Sequence, residues 1–202
     1  MRTQVRIVSG SLRGRKLTCN VSPNLRPTPQ MVREAFFSVM GNAIPDRPFL
    51  DIFAGTGVVG MEAISRGASS ATFVERDFQL LAELEKHLRE FRISDKTRAI
   101  RADVYRWVER WHPPAEPVNL FLSPPFNDFK SRLDELLGLI GLLQTKAAPE
   151  SVLVLQSEHE APVEGLPRRE EWEDRRYGRN HLMIWVREEA EPAPPANDVT
   201  TV

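Results

Sequence analysis

From Pro48 to Glu158 the chain alternates short apolar runs with stretches of helical period, and that alternation limits the possible fold more than any other feature of its 202 residues. "FLDIFA", "SATFVE", "TRAIRAD", "VNLFLS" and "SVLVLQSE" read as strands. "GVVGMEAISRG", "DFQLLAELEKHLREFRI", "VYRWVERW" and "FKSRLDELLGLIGLLQ" read as the helices between them, with Leu80, Leu81, Leu84 and Leu88 on the inward side of the second. Neighbouring parallel strands need a long crossover, and a helix is its usual form. The pattern therefore predicts an α/β fold with a mostly parallel sheet covered by helices on both faces. Near the end the rhythm changes. "REEWEDRRYG" and "RNHLMIWVRE" read as two extended segments joined at Tyr177-Gly178-Arg179-Asn180, an antiparallel C-terminal strand pair that completes a seven-stranded sheet.

The segments on either side of this core differ from it in charge. Between Met1 and Met40 stand seven basic residues, Arg2, Arg6, Arg13, Arg15, Lys16, Arg26 and Arg33, against Glu34 alone, a local excess of six in a chain whose net charge is −1. "QVRIVSGSLRGRKLTC" reads as a small N-terminal β-hairpin and "QMVREAFFSVMG" as a short helix, with Met31, Ala35, Phe36 and Val39 on one face. A basic hairpin ahead of an α/β core suits contact with a nucleic-acid backbone, for which Arg6, Arg13, Arg15 and Lys16 are the candidates. "EEAEPAPPANDVTTV" is acidic, proline-rich and poor in large apolar residues, so it reads as a solvated tail. The expected organisation is residues 1–25 as the basic hairpin extension, 26–187 as the main domain and 188–202 as a disordered tail. Cys19 is the only cysteine, and His87, His112, His159 and His181 lack ligand spacing, so neither a disulfide nor a metal site is expected. With no signal-peptide core and no apolar window near the ~20 residues of a membrane span, a cytoplasmic protein without membrane contact is expected.

The loop after the first core strand, "DIFAGTGVVG", carries the chemistry. Gly55 and Gly57 allow the backbone to turn sharply and approach a ligand, whereas Gly60 suits helix–sheet packing. The Gly55, Gly57, Gly60 spacing matches a dinucleotide fingerprint, and Glu75, twenty residues past Gly55, sits where a partner for ribose hydroxyls is expected. Taken alone, this supports an NAD-dependent oxidoreductase. Asp51 points elsewhere, because a carboxylate at the carboxyl end of that strand opposes a pyrophosphate and suits a cationic ligand. S-adenosylmethionine carries an ammonium and a sulfonium and no phosphate. Asp103, after the third core strand, adds an acceptor suited to an adenine amino group, and it competes with a second role as a helix cap. Glu62, read as facing out of the helix after the loop, has no assigned role.

The stretch "LFLSPPF" ends an apolar strand at Ser123, Pro124, Pro125 and Phe126. Consecutive prolines stiffen the backbone and end the ladder, and an aromatic ring beside them can stack on an unstacked base. The succession "DIFAGTGVVG", "FVERD", "RADV", "SPPF" resembles the class I S-adenosylmethionine-dependent methyltransferases, Rossmann-like enzymes whose amino-methylating members carry Asn/Asp-Pro-Pro-Phe/Tyr. "RIVSGSLRGRKL", "LRPTPQMVREAFFSVM" and "RRYGRNHLMIW" are similar, more narrowly, to bacterial guanine-N2 methyltransferases of small-subunit ribosomal RNA, a resemblance that spans about residues 5 to 187. It implies S-adenosyl-L-methionine as cofactor. The pocket would comprise Asp51, Phe53, Ala54, Gly55 and Gly57, with Glu75 on the ribose, Asp103 near the adenine, and Arg26 and Thr28 over the methionine end. Ser123, Pro124, Pro125 and Phe126 would hold the target base. The implied partner is 16S rRNA or a small-subunit assembly intermediate, met by a monomer. Ser123 departs from the family's Asn or Asp and is the weaker acceptor, so a catalytically impaired RNA-binding homologue stands as an alternative beside the oxidoreductase.

Overall fold

The computed structural model describes residues 2–20, 27–158 and 161–188. Arg26, His159 and residues 189–202 of the expected tail lie outside the described residues. β1 (Arg2–Arg6) and β2 (Lys16–Asn20) form the expected hairpin, paired antiparallel from Arg2 opposite Asn20 to Arg6 opposite Lys16. After α1 (Gln30–Met40) come β3 (Pro48–Ile52), α2 (Val58–Ser65), β4 (Ser70–Glu75), α3 (Phe78–Glu90), β5 (Thr97–Arg101), α4 (Val104–Arg110) and β6 (Asn119–Leu122). α5 (Asp128–Ser131), α6 (Leu133–Lys146), β7 (Val152–Glu158), β8 (Glu173–Tyr177) and β9 (Asn180–Val186) complete the fold. The large sheet has seven strands in the order β5-β4-β3-β6-β7-β9-β8. The first five are parallel, and β9 inserts antiparallel between β7 and β8.

Side chains alternate across the sheet and divide the core into two layers. Phe49, Phe73, Phe121 and Val154 pack against α1, α2, α3 and the hairpin's Ile7, Leu12 and Leu17. Leu50, Val74, Leu120, Leu122 and Leu155 pack on the other face against α4, α5 and α6. The sheet order reverses between β3 and β6, which opens a crevice beyond their carboxyl ends, the usual ligand position in open α/β sheets.

Three local expectations need correction. The single helix predicted after the proline corner is split into α5 and α6 at Arg132, whose backbone (φ −137°, ψ 31°) leaves the helical region. There the Arg132 side chain lies 3.9 Å over the Tyr105 ring and pairs with Glu135. In α1 the buried residues are Val32, Arg33, Phe36, Phe37 and Met40, whereas Met31 is 56% exposed. The buried stripe is thus rotated by about one residue from the face that apolar spacing alone selects. The cause is the third correction: Glu62 is not outward-facing but fully buried, and it draws Arg33 inward.

Arg33 Nε donates to Glu62 Oε2 at 3.2 Å, Nη1 to the Thr28 carbonyl at 2.7 Å and Nη2 to the Arg6 carbonyl at 2.8 Å. Arg66 takes the other Glu62 oxygen at 2.8 Å. The hairpin loop is fixed independently at the far end of α2. Ser11 N donates to the Ser65 carbonyl at 2.7 Å, and Leu12 N donates to Ser65 Oγ at 2.9 Å. Gly10, at φ +80°, lies so close that a Cβ there would fall 1.7 Å from the Ser65 oxygen. Replacing Glu62 by Gln strands the buried Arg33 guanidinium. The expected loss is about 3 kcal/mol of unfolding free energy, read as a lower urea midpoint at unchanged slope.

Candidate active site

The loop from β3 into α2 forms the floor of the crevice. Phe53 (φ 63°), Gly55 (φ 53°) and Gly57 (φ 71°) all take left-handed backbone conformations, a rare choice for a bulky residue such as Phe53. The turn lets the chain reverse between strand and helix within a few residues. Gly57 closes it by donating to the Ala54 carbonyl at 2.7 Å. A Cβ on Gly57 would come within 2.7 Å of Leu84, and one on Gly60 within 2.4 Å of the Phe73 ring. Gly60 therefore serves helix–sheet packing, while Gly57 serves both the turn and packing and does not line the crevice.

Asp51 ends in this floor and is only 2% exposed. Its Oδ2 accepts from Gly60 N at 2.9 Å. Burial pushes its carboxyl up to about 8, the Gly60 N–H opposes the rise, and the charge of Glu75 adds to it. Such a group ionises more readily when a cation arrives. Glu75 accepts from Gly55 N and from Asp77 N, both at 2.8 Å, so one carboxylate ties the glycine loop to the turn entering α3. Asp77, not Glu75, caps that helix.

On the next strand end Asp103 caps α4, accepting from Tyr105 N at 3.0 Å and Arg106 N at 3.4 Å. The capping role foreseen as a competitor is thus present. Asp103 still lines the crevice, and Arg132 lies 3.7 Å from its second oxygen. The Tyr105 hydroxyl donates to the buried Asp128 at 2.7 Å; burial and this bond push the phenol upward. Tyr105 also meets the Phe53 ring edge-on at 5.7 Å. This Tyr105–Asp128–Arg132 cluster was not anticipated, because Tyr105 lies 23 residues from Asp128 and Arg132 falls inside a helix predicted to be continuous.

At the other side of the crevice Ser123 N still donates to the Ile52 carbonyl at 3.3 Å, so the corner begins immediately beyond the ladder. The Pro125 carbonyl accepts from Asp128 N at 2.8 Å and closes the turn into α5. Lys130 Nζ lies 4.9 Å from the Phe126 ring centre. Ser123 Oγ donates to Gln156 Oε1 at 3.4 Å, Thr28 Oγ1 to the same oxygen at 2.8 Å, and Gln156 Nε2 to Asn180 Oδ1 at 3.2 Å.

The resulting cleft has a volume of about 920 Å³. Thr28, Asp51, Phe53, Ala54, Gly55, Glu75, Asp103, Ser123, Pro124, Pro125 and Phe126 all line it, so the structure brings together every proposed cofactor and base residue except Gly57 and the undescribed Arg26. Gln156 and Asn180 line it too and were missed. A polar residue within the apolar run "SVLVLQSE" was the available signal for the first. Arg6, Arg13, Arg15 and Lys16 are exposed on the hairpin.

Comparison with known proteins identifies the family. A family model described as "Conserved hypothetical protein 95" matches residues 5–186. The chain belongs to that family. Over 167 residues it is 36% identical to ribosomal RNA small subunit methyltransferase D of Escherichia coli K12, covering 81% of this chain and 78% of that one. The solved structure of the Escherichia coli protein yhhF superposes with a TM-score of 0.74 at 31% identity, across 93% of this chain and all of that one (100%). The Thermus thermophilus 16S rRNA N2 G1207 methyltransferase shares the fold, with a TM-score of 0.73 at 19% identity, over 93% of this chain and 50% of that one.

The buried Asp51 makes opposite demands on stability and binding. Between the unfolded carboxyl value of 3.8 and the folded value of about 8, the folded state holds a proton that the unfolded chain has released. Its contribution to stability is therefore present at low pH and lost as pH rises through that window. Asp51→Asn should raise the melting temperature of the cofactor-free protein at pH 8 and flatten this part of its pH dependence. The same change should weaken binding of a cationic cofactor at least tenfold, the scale of one lost charged hydrogen bond, as read by calorimetric titration. In the unmodified protein that affinity should rise with pH up to about 8, because binding expels the Asp51 proton.

Proposed function

We propose that the protein transfers the methyl group of S-adenosyl-L-methionine to the N2 amino group of a guanine in 16S ribosomal RNA. The coarser statement, S-adenosylmethionine-dependent methylation of small-subunit ribosomal RNA, follows from family membership. The finer one rests on the proline corner at Ser123–Phe126 facing the acidic floor of the same cleft.

The residues fit the cofactor. Asp51 supplies a buried carboxyl whose charge a cation would stabilise, Glu75 and Asp103 would supply acceptors for the ribose hydroxyls and the adenine amino group, and Thr28 would meet the methionine end. When bound, S-adenosylmethionine supplies an electrophilic methyl group on positively charged sulfur. The protein's own contribution is to position the base. A guanine amino group is a poor nucleophile because its lone pair is delocalised into the ring, so it must be held in line with the methyl and its N–H groups must be accepted. Orientation of this kind contributes about 7 to 11 kcal/mol in the best intramolecular cases. The Pro124 carbonyl and Ser123 Oγ are the acceptors in this reading, and Phe126 stacks on a base displaced from its RNA setting.

The basic hairpin is the proposed RNA contact. Its loop docks at Ser65, eight residues along α2 from the glycine loop, or about 12 Å at helical rise. Arg13 and Arg15 would thus touch phosphates flanking the target rather than the target itself. Residues 1–25 then act as the RNA-binding extension of a catalytic domain at 26–187, followed by a tail at 188–202. Among the described residues no helix is long and apolar enough to cross a membrane. A cytoplasmic monomer acting on an assembly intermediate completes the proposal. Incubating unmodified small subunits or naked 16S RNA with methyl-labelled cofactor, then digesting to nucleosides, should place the label in N2-methylguanosine. Label in another nucleoside would refute the guanine-N2 assignment, and cofactor binding with no label transferred would favour the non-catalytic RNA-binding alternative.

A further inference from the structure

Gln156 stands where β7 passes beneath the proline corner, and it bonds to three segments at once. Its Oε1 accepts from Thr28 in the joint before α1 and from Ser123 at the end of β6, and its Nε2 donates to Asn180 at the start of β9. A serine hydroxyl has one proton and two lone pairs, and it rotates to suit its surroundings. Left alone beside an amine, it could present its proton and repel an N–H. With that proton directed at Gln156 Oε1, Ser123 turns its lone pairs toward the cleft. The 3.4 Å separation is long for a hydroxyl bond, as is common before substrate compacts a site.

We propose that Gln156 is a positioning residue, which fixes the Ser123 hydroxyl as an acceptor for the target amine and so supplies, through a pair of neutral side chains, the acceptor that the family's Asn or Asp provides directly. This rests on the reading of Ser123–Phe126 as the target-base site. The donation to Asn180 orients the amide, turning its oxygen toward Thr28 and Ser123. Gln156 touches neither the transferred methyl nor the amine and acts through Ser123.

The test is a double-mutant cycle on the full-length protein, with methyl transfer to small-subunit RNA, cofactor titration and thermal melting measured for each variant. Gln156→Met keeps the side chain's length and removes its hydrogen bonds, and Ser123→Ala removes the acceptor. Each should lower kcat about tenfold, with KM for RNA and the cofactor dissociation constant changed less than about threefold. The double variant should be no slower than Ser123→Ala, because one interaction has been removed twice. Gln156→Glu keeps acceptor oxygens for Thr28 and Ser123, and Asn180 can turn its amide over to donate. The added carboxylate should weaken cofactor binding through Asp51, so the comparison is made at saturating cofactor, where this variant should retain kcat within about threefold of the unmodified protein. Losses that multiply to about a hundredfold in the double variant would overturn the proposal. So would a Gln156→Met loss confined to cofactor affinity or melting temperature, or a Gln156→Glu enzyme as slow as Ser123→Ala. The labelled nucleoside reports separately on the reaction: label outside N2-methylguanosine rejects the guanine-N2 assignment, while the ratios among variants still decide the role of Gln156.

Discussion

The buried pair between Arg33 and Glu62 fixes the parts of this protein relative to one another. Arg33 is 1% exposed and Glu62 fully buried, so each offsets the cost of burying the other's charge, and Arg66 adds a second cation on Glu62. The guanidinium uses its remaining donors on the carbonyls of Arg6 and Thr28, which ties the hairpin and the joint before α1 to the middle of α2. α2 begins at the glycine loop and ends at the hairpin's docking site on Ser65. One helix therefore carries the proposed cofactor floor at one end and the proposed RNA-binding extension at the other, with the ion pair between them. Thr28 continues the connection through its hydroxyl to Gln156 and on to Ser123. A line of hydrogen bonds runs from the hairpin strand to the proline corner without relying on any flexible surface contact.

Asp51 shows what such a scaffold has to support. A carboxyl held near a second one, with its proton retained up to a pH of about 8, lowers the stability of the cofactor-free protein as pH rises. The surrounding structure offsets that cost by packing the β3–α2 turn tightly, with Gly60 against Phe73 and Gly57 against Leu84. Sites poised for a charged ligand commonly sacrifice stability in this way.

The sequence made the sheet legible because its period differs so plainly from that of the helices, and because turn glycines or prolines mark most junctions outside the run from β4 to α4. It also marked the glycine loop that floors the cleft, since Asp51, Gly55 and Glu75 sit at intervals set by one βαβ unit. What it concealed depended on partners distant in the chain. Arg33 and Glu62 both look like solvent residues of amphipathic helices until they are seen to face each other 29 positions apart. The insertion of β9 between β7 and β8 is equally hidden, because an antiparallel pair can join the sheet edge through either member. Gln156 carried a weak signal, a polar residue in an apolar strand, and its meaning appears only when Thr28, Ser123 and Asn180 converge on it.

The serine at the proline corner becomes intelligible in terms of charge. Asp51, Glu75 and Asp103 already place three acids at neighbouring strand ends on the proposed cofactor side, and the charge of Glu75 disfavours ionisation of Asp51. β6 lies directly beside β3. A fourth carboxylate at position 123 would raise the cost of ionising Asp51 further, because like charges in a partly dry cleft repel strongly. A hydroxyl adds no charge. With its proton directed at Gln156 it is still an acceptor, so the proposed base-binding side stays neutral while the acidic side is left to the cation. Neutrality suits the proposed guanine target, which brings no charge of its own, and it leaves the attraction for the sulfonium cofactor concentrated where Asp51 needs a counter-ion.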